Sequence, residues 1–199
     1  VINGVKGGVT YMREPISGPN FAFTGYVYGG REMSMGTFIH ETAGHAFGLL
    51  GGEYSTSGFD PGQPFEIPDY EATRLRNEQK KGWYLNLSLT SDPKSVYWAH
   101  LIGHPRYPYV GVLQGGYYYA FGVWRSESYS LMENSTNFYF NTICRELIVR
   151  RIMALTGEEY TFDKFLAKDS DKDRPNLSKS RSQQIKDQER RHQPPIIGE

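Results

Sequence analysis

The chain of 199 residues is 38% hydrophobic and 15% aromatic, which suffices for one domain with a buried core. Its 22 basic and 22 acidic residues cancel, so no nucleic-acid footprint is expected. One cysteine, Cys144, excludes an intrachain disulfide and any cysteine-cluster metal site. No apolar run approaches the ~18 residues that a helical membrane span needs.

Residues 1–34 alternate short apolar pieces with turn signals, as in TYMREPISGPNFAFTGYVYGG, and predict irregular strands and loops. Residues 35–50, MGTFIHETAGHAFGLL, carry an apolar stripe at helical spacing without proline and predict a buried helix. GGEYSTSGFDPGQPFEIP reads as a long loop, and DYEATRLRNEQKKGWY as a solvent-facing helix bounded by Gly82. In SDPKSVYWAHLIG, Ser91 or Asp92 precedes Pro93 at a first helical position, which predicts a short helix. YVGVLQGGYYYAFGVW predicts two strands around Gly115 and Gly116. FNTICRELIVRRIMALTG sets Ile143, Leu147, Ile148, Ile152 and Leu155 on one side and ends in Gly157, the clearest amphipathic helix of the chain. YTFDKFLAKD predicts one more short helix. Residues 169–199 turn polar and charged and read as a solvated tail on a domain of residues 1–168. The apolar PPII near the tail's end is expected to dock back.

The chemistry concentrates in HETAGHAFGLLGGEY, which starts at His40. In H-E-x-x-H the histidines are four apart, roughly 40° around a helix, and both reach one metal ion. His40 and His45 are five apart, which an ideal α-helix sets roughly 140° from each other. A π-type turn of about 4.4 residues reduces the separation to roughly 50°, and such bulges occur mostly at functional sites. Gly44 lowers the steric cost of that backbone and of close packing. Glu41 then lies beside a metal-bound water. Gly48, three residues after His45, stands where a glycine of metzincin zinc enzymes lets the chain leave the helix. A catalytic zinc needs three protein ligands and an open position. The metzincin place for the third, six residues after His45, is Gly51, which has no side chain. The nearest acidic residue, Glu53, is the expected third ligand, with His104 in reserve.

Four blocks then recur in order: HETAGHAFGLLGGEY, NLSLTSDPKSVYWAHLIGHPRY, VGVLQGGYYYAFGVWRSESYSLM and FNTICRELIVRRI. They resemble the IgA-peptidase family of bacterial zinc metallopeptidases, above all its Bacteroides-type branch, whose HExxGH motif carries the same extra residue. The resemblance spans roughly residues 35–168. It implies an α/β, metzincin-like catalytic domain with a small mixed sheet packed on an active-site helix. It also implies zinc held by His40 and His45, Glu41 as general base, and Met132 of YSLMEN in a turn beneath the site. A peptide or protein substrate and a secreted, periplasmic or cell-surface location in a bacterium follow from the same resemblance. Longer members carry an N-terminal β-domain, and the sequence leaves open whether one precedes Val1. Three positions depart from the family. Gly52 stands for an aspartate, Gln114 for a glutamate, and Ser126 for the proline after Arg125. If the aspartate is the family's third ligand, this chain is a weak binder or an inactive relative; if Glu53 is, the site is intact.

The expected activity is zinc-dependent endopeptidase chemistry, with Tyr117, Tyr118 and Arg125 as candidates to steady the tetrahedral intermediate. The rivals are a catalytically impaired peptidase fold that binds peptide or glycoprotein, and an amidase acting on cell-wall peptides. Cys144 reads as a small buried hydrophobe rather than a nucleophile. His100 and His104, four apart at a helix end before Pro105, read as ordinary histidines rather than a second metal site.

Overall fold

The structure, a computed structural model, describes residues 9–11, 21–23, 31–55, 64–135 and 137–169. Most of the expected N-terminal loops, the middle of the loop after residue 55 and the tail from residue 170 lie outside them. Among the described residues the chain is a mixed α/β domain. Strands β1 (Val9–Tyr11) and β2 (Phe21–Phe23) form one antiparallel pair. Strands β3 (Leu87–Ser88), β4 (Leu113–Gly116) and β5 (Tyr119–Arg125) form a three-stranded antiparallel sheet in the order β3-β5-β4. The helices are α1 (Arg31–Ile39), a π-helix (His40–Phe47), α2 (Asp69–Lys80), α3 (Thr142–Thr156) and α4 (Phe162–Lys168). The expected mixed sheet is therefore antiparallel in its described part. Parallel pairing is confined to two isolated bridges, Ser55 with Tyr118 and Glu66 with Phe121.

The helix expected over 35–50 divides at His40, where the α-helix widens into a π-helix. The Gly48 N–H donates to the carbonyl of Ala43, five residues back, at 2.9 Å. The strand pair of β1 and β2 packs against this π-helix. Gly48 itself keeps ordinary helical angles, so it does not bend the chain by a left-handed conformation. Leu49 makes that turn instead, with φ of 56°. Gly48 is small for another reason: a Cβ there would lie 3.0 Å from Ile148 Cγ1 of α3 and 2.9 Å from the carbonyls of Ala43 and Gly44.

The short helix expected in SDPKSVYWAHLIG is a run of tight turns. Ser95, Ala99, Leu101, Ile102, His104, Tyr107 and Val110 each donate a backbone N–H three residues back. Asp92 starts the run by accepting from Lys94 N–H at 3.0 Å. Bonds of that span give 3₁₀ geometry, which does not propagate far, and only Ala99–Leu101 is helical. The turns bury Trp98, Leu101 and Tyr107 in the larger core, against Ile143, Leu147 and Phe165 of the C-terminal helices. A smaller core lies between α2 and the sheet, around Leu75, Leu87, Tyr119 and Val123.

Helix α3 starts at the expected place, with Asn141 as its N-cap accepting from Cys144 N–H, and ends at Gly157 in the left-handed conformation. Its apolar stripe is only half used. Ile143 and Leu147 are buried, but Ile152 and Leu155 are exposed. The buried face instead takes in Cys144 and Glu146, whose carboxylate is held by His100, Arg150 and Tyr160 at 2.8–3.0 Å. The domain runs through Asp169, which accepts from Tyr107 at 2.7 Å and from Arg145 at 2.8 Å.

Under the π-helix lies the turn of residues 131–133. Met132 is fully buried there, and a Cβ on Gly44 would run into its sulfur. Overpacking of this kind costs about 1–3 kcal/mol, which exceeds the helix propensity that alanine gains over glycine. Gly44→Ala is therefore expected to lower the unfolding free energy in urea by about 1–2 kcal/mol. An unchanged or raised midpoint would show that the Gly44–Met132 contact is loose.

Candidate metal centre

The widened turn brings His40 and His45 onto one side of the helix, with ring centroids 4.7 Å apart and nearly perpendicular. With Glu41 they form a group whose ligand atoms all lie within 4.8 Å of one another. Each imidazole is oriented through its Nδ1. His40 Nδ1 lies 2.8 Å from the carbonyl of Leu131, and His45 Nδ1 lies 2.7 Å from that of Leu50. A carbonyl only accepts, so each Nδ1 carries the hydrogen and each neutral ring keeps its lone pair on Nε2. Burial, and for His40 the neighbouring His45, pulls the two values down to about 3 and about 4, so both rings are neutral at pH 7. His40 Nε2 is buried without a hydrogen-bond partner. A buried nitrogen lone pair is costly unless something meets it. Two Nε2 lone pairs with a carboxyl alongside match the donor set of a divalent transition metal, so the residues fit a metal ion. The carbonyl contacts supply the outer hydrogen bonds that metal-binding histidines use for orientation.

Glu41 is buried, and burial pushes its carboxyl up to about 7 against the lowering effect of a hydrogen bond from Thr10. The Thr10 hydroxyl of β1 lies 2.5 Å from Glu41 Oε2 and 2.9 Å from its main-chain oxygen. Thr10 thus ties the first strand pair to the helix. Nothing in the spacing of TYMREP marks it for that role.

Glu53 does not join the group. Its carboxylate is fully buried. It accepts from Asn86 Nδ2 at 3.0 Å and from Asn141 Nδ2 at 3.0 and 2.7 Å, with the Cys144 thiol 3.4 Å away. Burial raises its carboxyl, while the two amides and Arg125 oppose that rise. Asn86 also exchanges two hydrogen bonds with the backbone of Gly51 at 2.8 and 2.9 Å. Glu53 therefore joins the loop after the π-helix to α3 and to Asn86, and the structure places it with these amides rather than in the group of His40, Glu41 and His45. His104 is placed elsewhere too. Its ring lies against Tyr107 and Phe162, and its Nδ1 accepts from Arg106 N–H. His100 is paired with Glu146 at 2.8 Å, so these two histidines form no metal group. Cys144 is buried, as expected of a small hydrophobe.

Of the candidates in the aromatic block, Tyr118 comes close to the centre and Arg125 does not. Tyr117 and Tyr118 form the two-residue link between β4 and β5, with φ of 52° and 72°. Glycine or asparagine is the usual occupant of such a turn, and bulky residues there mark strain of the sort found at functional sites. Tyr117 N–H donates to Gly52 O at 2.9 Å and Tyr118 N–H to Tyr54 O at 3.0 Å. The turn thereby lays Tyr118 against Tyr54, with rings 4.9 Å apart and hydroxyls 2.8 Å apart. Burial raises both phenols, with the Glu41 carboxylate among the smaller causes, so both lie within its field. Arg125 Nη1 donates to the carbonyls of Gln114 and Gly115 at 2.9 and 2.6 Å and holds the bulged end of β4. Met132 is buried, and its sulfur lies against Gly44. Tyr54, next to Glu53 in the motif, went unassigned in the sequence; its ring is 6.2 Å from that of His40. No protein-family model and no curated protein matches the chain.

Two outcomes follow. Glu53→Gln turns an amide N–H₂ towards Asn86 or Asn141 and is expected to cost about 1–3 kcal/mol of stability. Its metal affinity, read by competition with a chromogenic chelator, should stay within threefold of the parent's, whereas His45→Ala should lose binding. A Glu53→Gln loss as large as that of His45→Ala would restore Glu53 as a ligand. The second concerns Glu133, beside Met132, which is buried and pushed up to about 7 by burial and by Glu53, against Arg125 and Asn137. A carboxyl raised by folding stabilises fully below its unfolded value near 4.5, and that contribution is lost as pH rises to about 7. At about 1.4 kcal/mol per pH unit this amounts to a few kcal/mol. Glu133→Gln should therefore flatten the fall in stability between these pH values, measured as urea midpoints in a pH series.

Proposed function

We propose that the chain is a zinc-dependent endopeptidase with a metzincin-like catalytic domain, acting at or beyond the surface of a bacterial cell. The observation that carries the reading is the convergence of two neutral imidazoles, each hydrogen-bonded through Nδ1 so that its lone pair stays on Nε2, beside the carboxyl of Glu41. The resemblance of four ordered sequence blocks to the IgA-peptidase family supports zinc and a peptide substrate.

His40 and His45 would hold the ion through Nε2. When bound, zinc supplies a Lewis acid beside the scissile carbonyl and lowers the pKa of water to about 7. Glu41, with a carboxyl near 7, is matched to take a proton from the attacking water and return it to the departing amine. The Thr10 hydroxyl keeps that carboxyl in place. Tyr118, hydrogen-bonded to Tyr54, offers a hydroxyl to the developing oxyanion. Arg125 is given no role in the reaction, because its Nη1 holds the β4 backbone.

One observation favours a second reading, a peptidase-fold protein that binds peptide or glycoprotein without cleaving it. Gly52 has no side chain and Glu53 is engaged with Asn86 and Asn141, so neither completes a three-ligand site.

Elemental analysis after purification without chelator should find about one zinc per chain. On a panel of unfolded proteins, peptides and cell-wall peptides, Glu41→Gln should lower kcat by about 10²–10⁴-fold while keeping the metal. Hydrolysis of muropeptides alone would move the assignment to an amidase. Zinc without hydrolysis of any substrate would favour the binding protein, and hydrolysis by Glu41→Gln at the parent rate would refute the base.

A further inference from the structure

The two imidazoles of the metal group are oriented from different distances along the chain. His45 takes its carbonyl from Leu50, five residues on, whereas His40 takes its carbonyl from Leu131, 91 positions away. The aim of the His40 ring is therefore only as fixed as Leu131. That residue is held on both sides of its backbone. Its carbonyl lies 2.8 Å from His40 Nδ1, and its N–H donates to the carbonyl of Tyr139 at 2.6 Å. Leu131 and Tyr139 are both buried, so solvent does not compete for either bond.

Tyr139 is gripped in turn from α3. The Arg145 guanidinium lies over its ring, 5.0 Å from the centroid, and Arg145 Nη1 donates to the carbonyl of Phe140 at 2.7 Å. One side chain thus fixes both residues of the segment that holds Leu131. The same guanidinium is forked on Asp169, with Nε 2.8 Å from Oδ1 and Nη2 3.0 Å from Oδ2. The pair is largely buried, its side chains 19% and 6% exposed. Asp169 is itself fixed: it accepts from the Tyr107 hydroxyl at 2.7 Å, and its N–H donates to Phe165 O at 2.8 Å. A planar fork on a carboxylate sets direction as well as distance, so Asp169 decides where Arg145 points.

We propose that the Arg145–Asp169 ion pair positions His40, acting through Tyr139, Phe140 and Leu131 and leaving His45 untouched. As a statement about a metal ligand it rests on the metallopeptidase reading; as a statement about the orientation of the His40 ring it does not. It makes the close of the described domain a support of the π-helix rather than only a seal on the larger core.

The test reads the Nδ1–H resonance of each imidazole by proton NMR of the metal-free full chain, assigned with His40→Gln and His45→Gln. Asp169→Asn should shift the His40 resonance and speed its exchange with water by about threefold or more, with the His45 resonance in place. By chelator competition the same variant should bind zinc about fivefold more weakly than the parent. Arg145→Lys keeps the charge but not the fork; it should act in the same direction, and it carries the test if Asp169→Asn does not fold. Leu101→Val, which opens a gap in the shared core and removes none of these bonds, should move neither resonance. An unmoved His40 resonance in a folded variant overturns the proposal. So does equal movement of both resonances, movement in Leu101→Val, or a moved resonance with the parent's zinc affinity. A folded parent that takes up no zinc overturns the metallopeptidase reading instead, and the resonances alone then decide the positioning.

Discussion

Everything at the centre depends on one widened helical turn. His40 and His45 are five residues apart, and only a π-helix from His40 to Phe47 brings their rings to 4.7 Å. Such a turn gives up regular i→i−4 hydrogen bonds, so it must be held from outside. It is held from three directions. The strand pair contributes Thr10 against Glu41, the turn of residues 131–133 contributes Leu131 O against His40, and the chain just past the helix contributes Leu50 O against His45. Each contact that stabilises the widened turn also orients a side chain of the metal group. Stability of the backbone and preorganisation of the site are therefore the same set of bonds.

The stretch from 51 to 55 is the second constraint, because it must turn sharply and then lie still. Leu49 takes a left-handed conformation to begin the turn. Asn86 then pairs with Gly51 as a strand would, Met132 O takes the N–H of Glu53, and the Tyr117–Tyr118 turn takes the carbonyls of Gly52 and Tyr54. Glu53 fastens the segment to α3 through Asn141, which also caps that helix. A buried carboxylate is costly unless its oxygens are met by donors, and here two amides and a thiol meet them. An Asn-x-Ser pattern at Asn86 reads as a surface glycosylation acceptor in isolation. The residue is fully buried and both ends of its amide are in use, so the folded chain offers no acceptor at Asn86.

Local spacing carried the helical elements well. The His-x₄-His interval called for a π turn, Gly82 and Gly157 marked helix ends, and the YYY block sat at a strand link. These are properties of residues near one another in the chain. What did not show were contacts between distant segments. Thr10 reaches Glu41 across 31 positions and Asn141 reaches Glu53 across 88, and neither has a periodic signature. The partners of Glu53 were hidden for the same reason: beside two histidines an acid reads as a ligand, and its contacts with Asn86 and Asn141 come from 33 and 88 positions away. The run of turns from Asp92 failed differently. The cap and the proline at its start are those of a helix, but packing of Trp98, Leu101 and Tyr107 into one core favours repeated three-residue bonds over a continued helix.

The two glycines around the helix end show how a missing side chain can be read. Gly48 and Gly52 look alike in the sequence, and neither takes a left-handed conformation. At Gly48 a Cβ would strike Ile148 and the carbonyls of the helix, so the glycine lets α3 approach the π-helix. At Gly52 a Cβ would strike Tyr54, so the glycine lets an aromatic ring turn inward beside His40. A tyrosine folded in this way exchanges exposure for burial, and its hydroxyl needs a partner there. Tyr118 is that partner, delivered by a turn whose two tyrosines sit where glycine or asparagine is usual. Strain at Tyr117 and Tyr118, the gap at Gly52 and the inward ring of Tyr54 are thus one arrangement. Restoring a side chain at 52 displaces the ring, and relaxing the turn removes the hydroxyl that holds it.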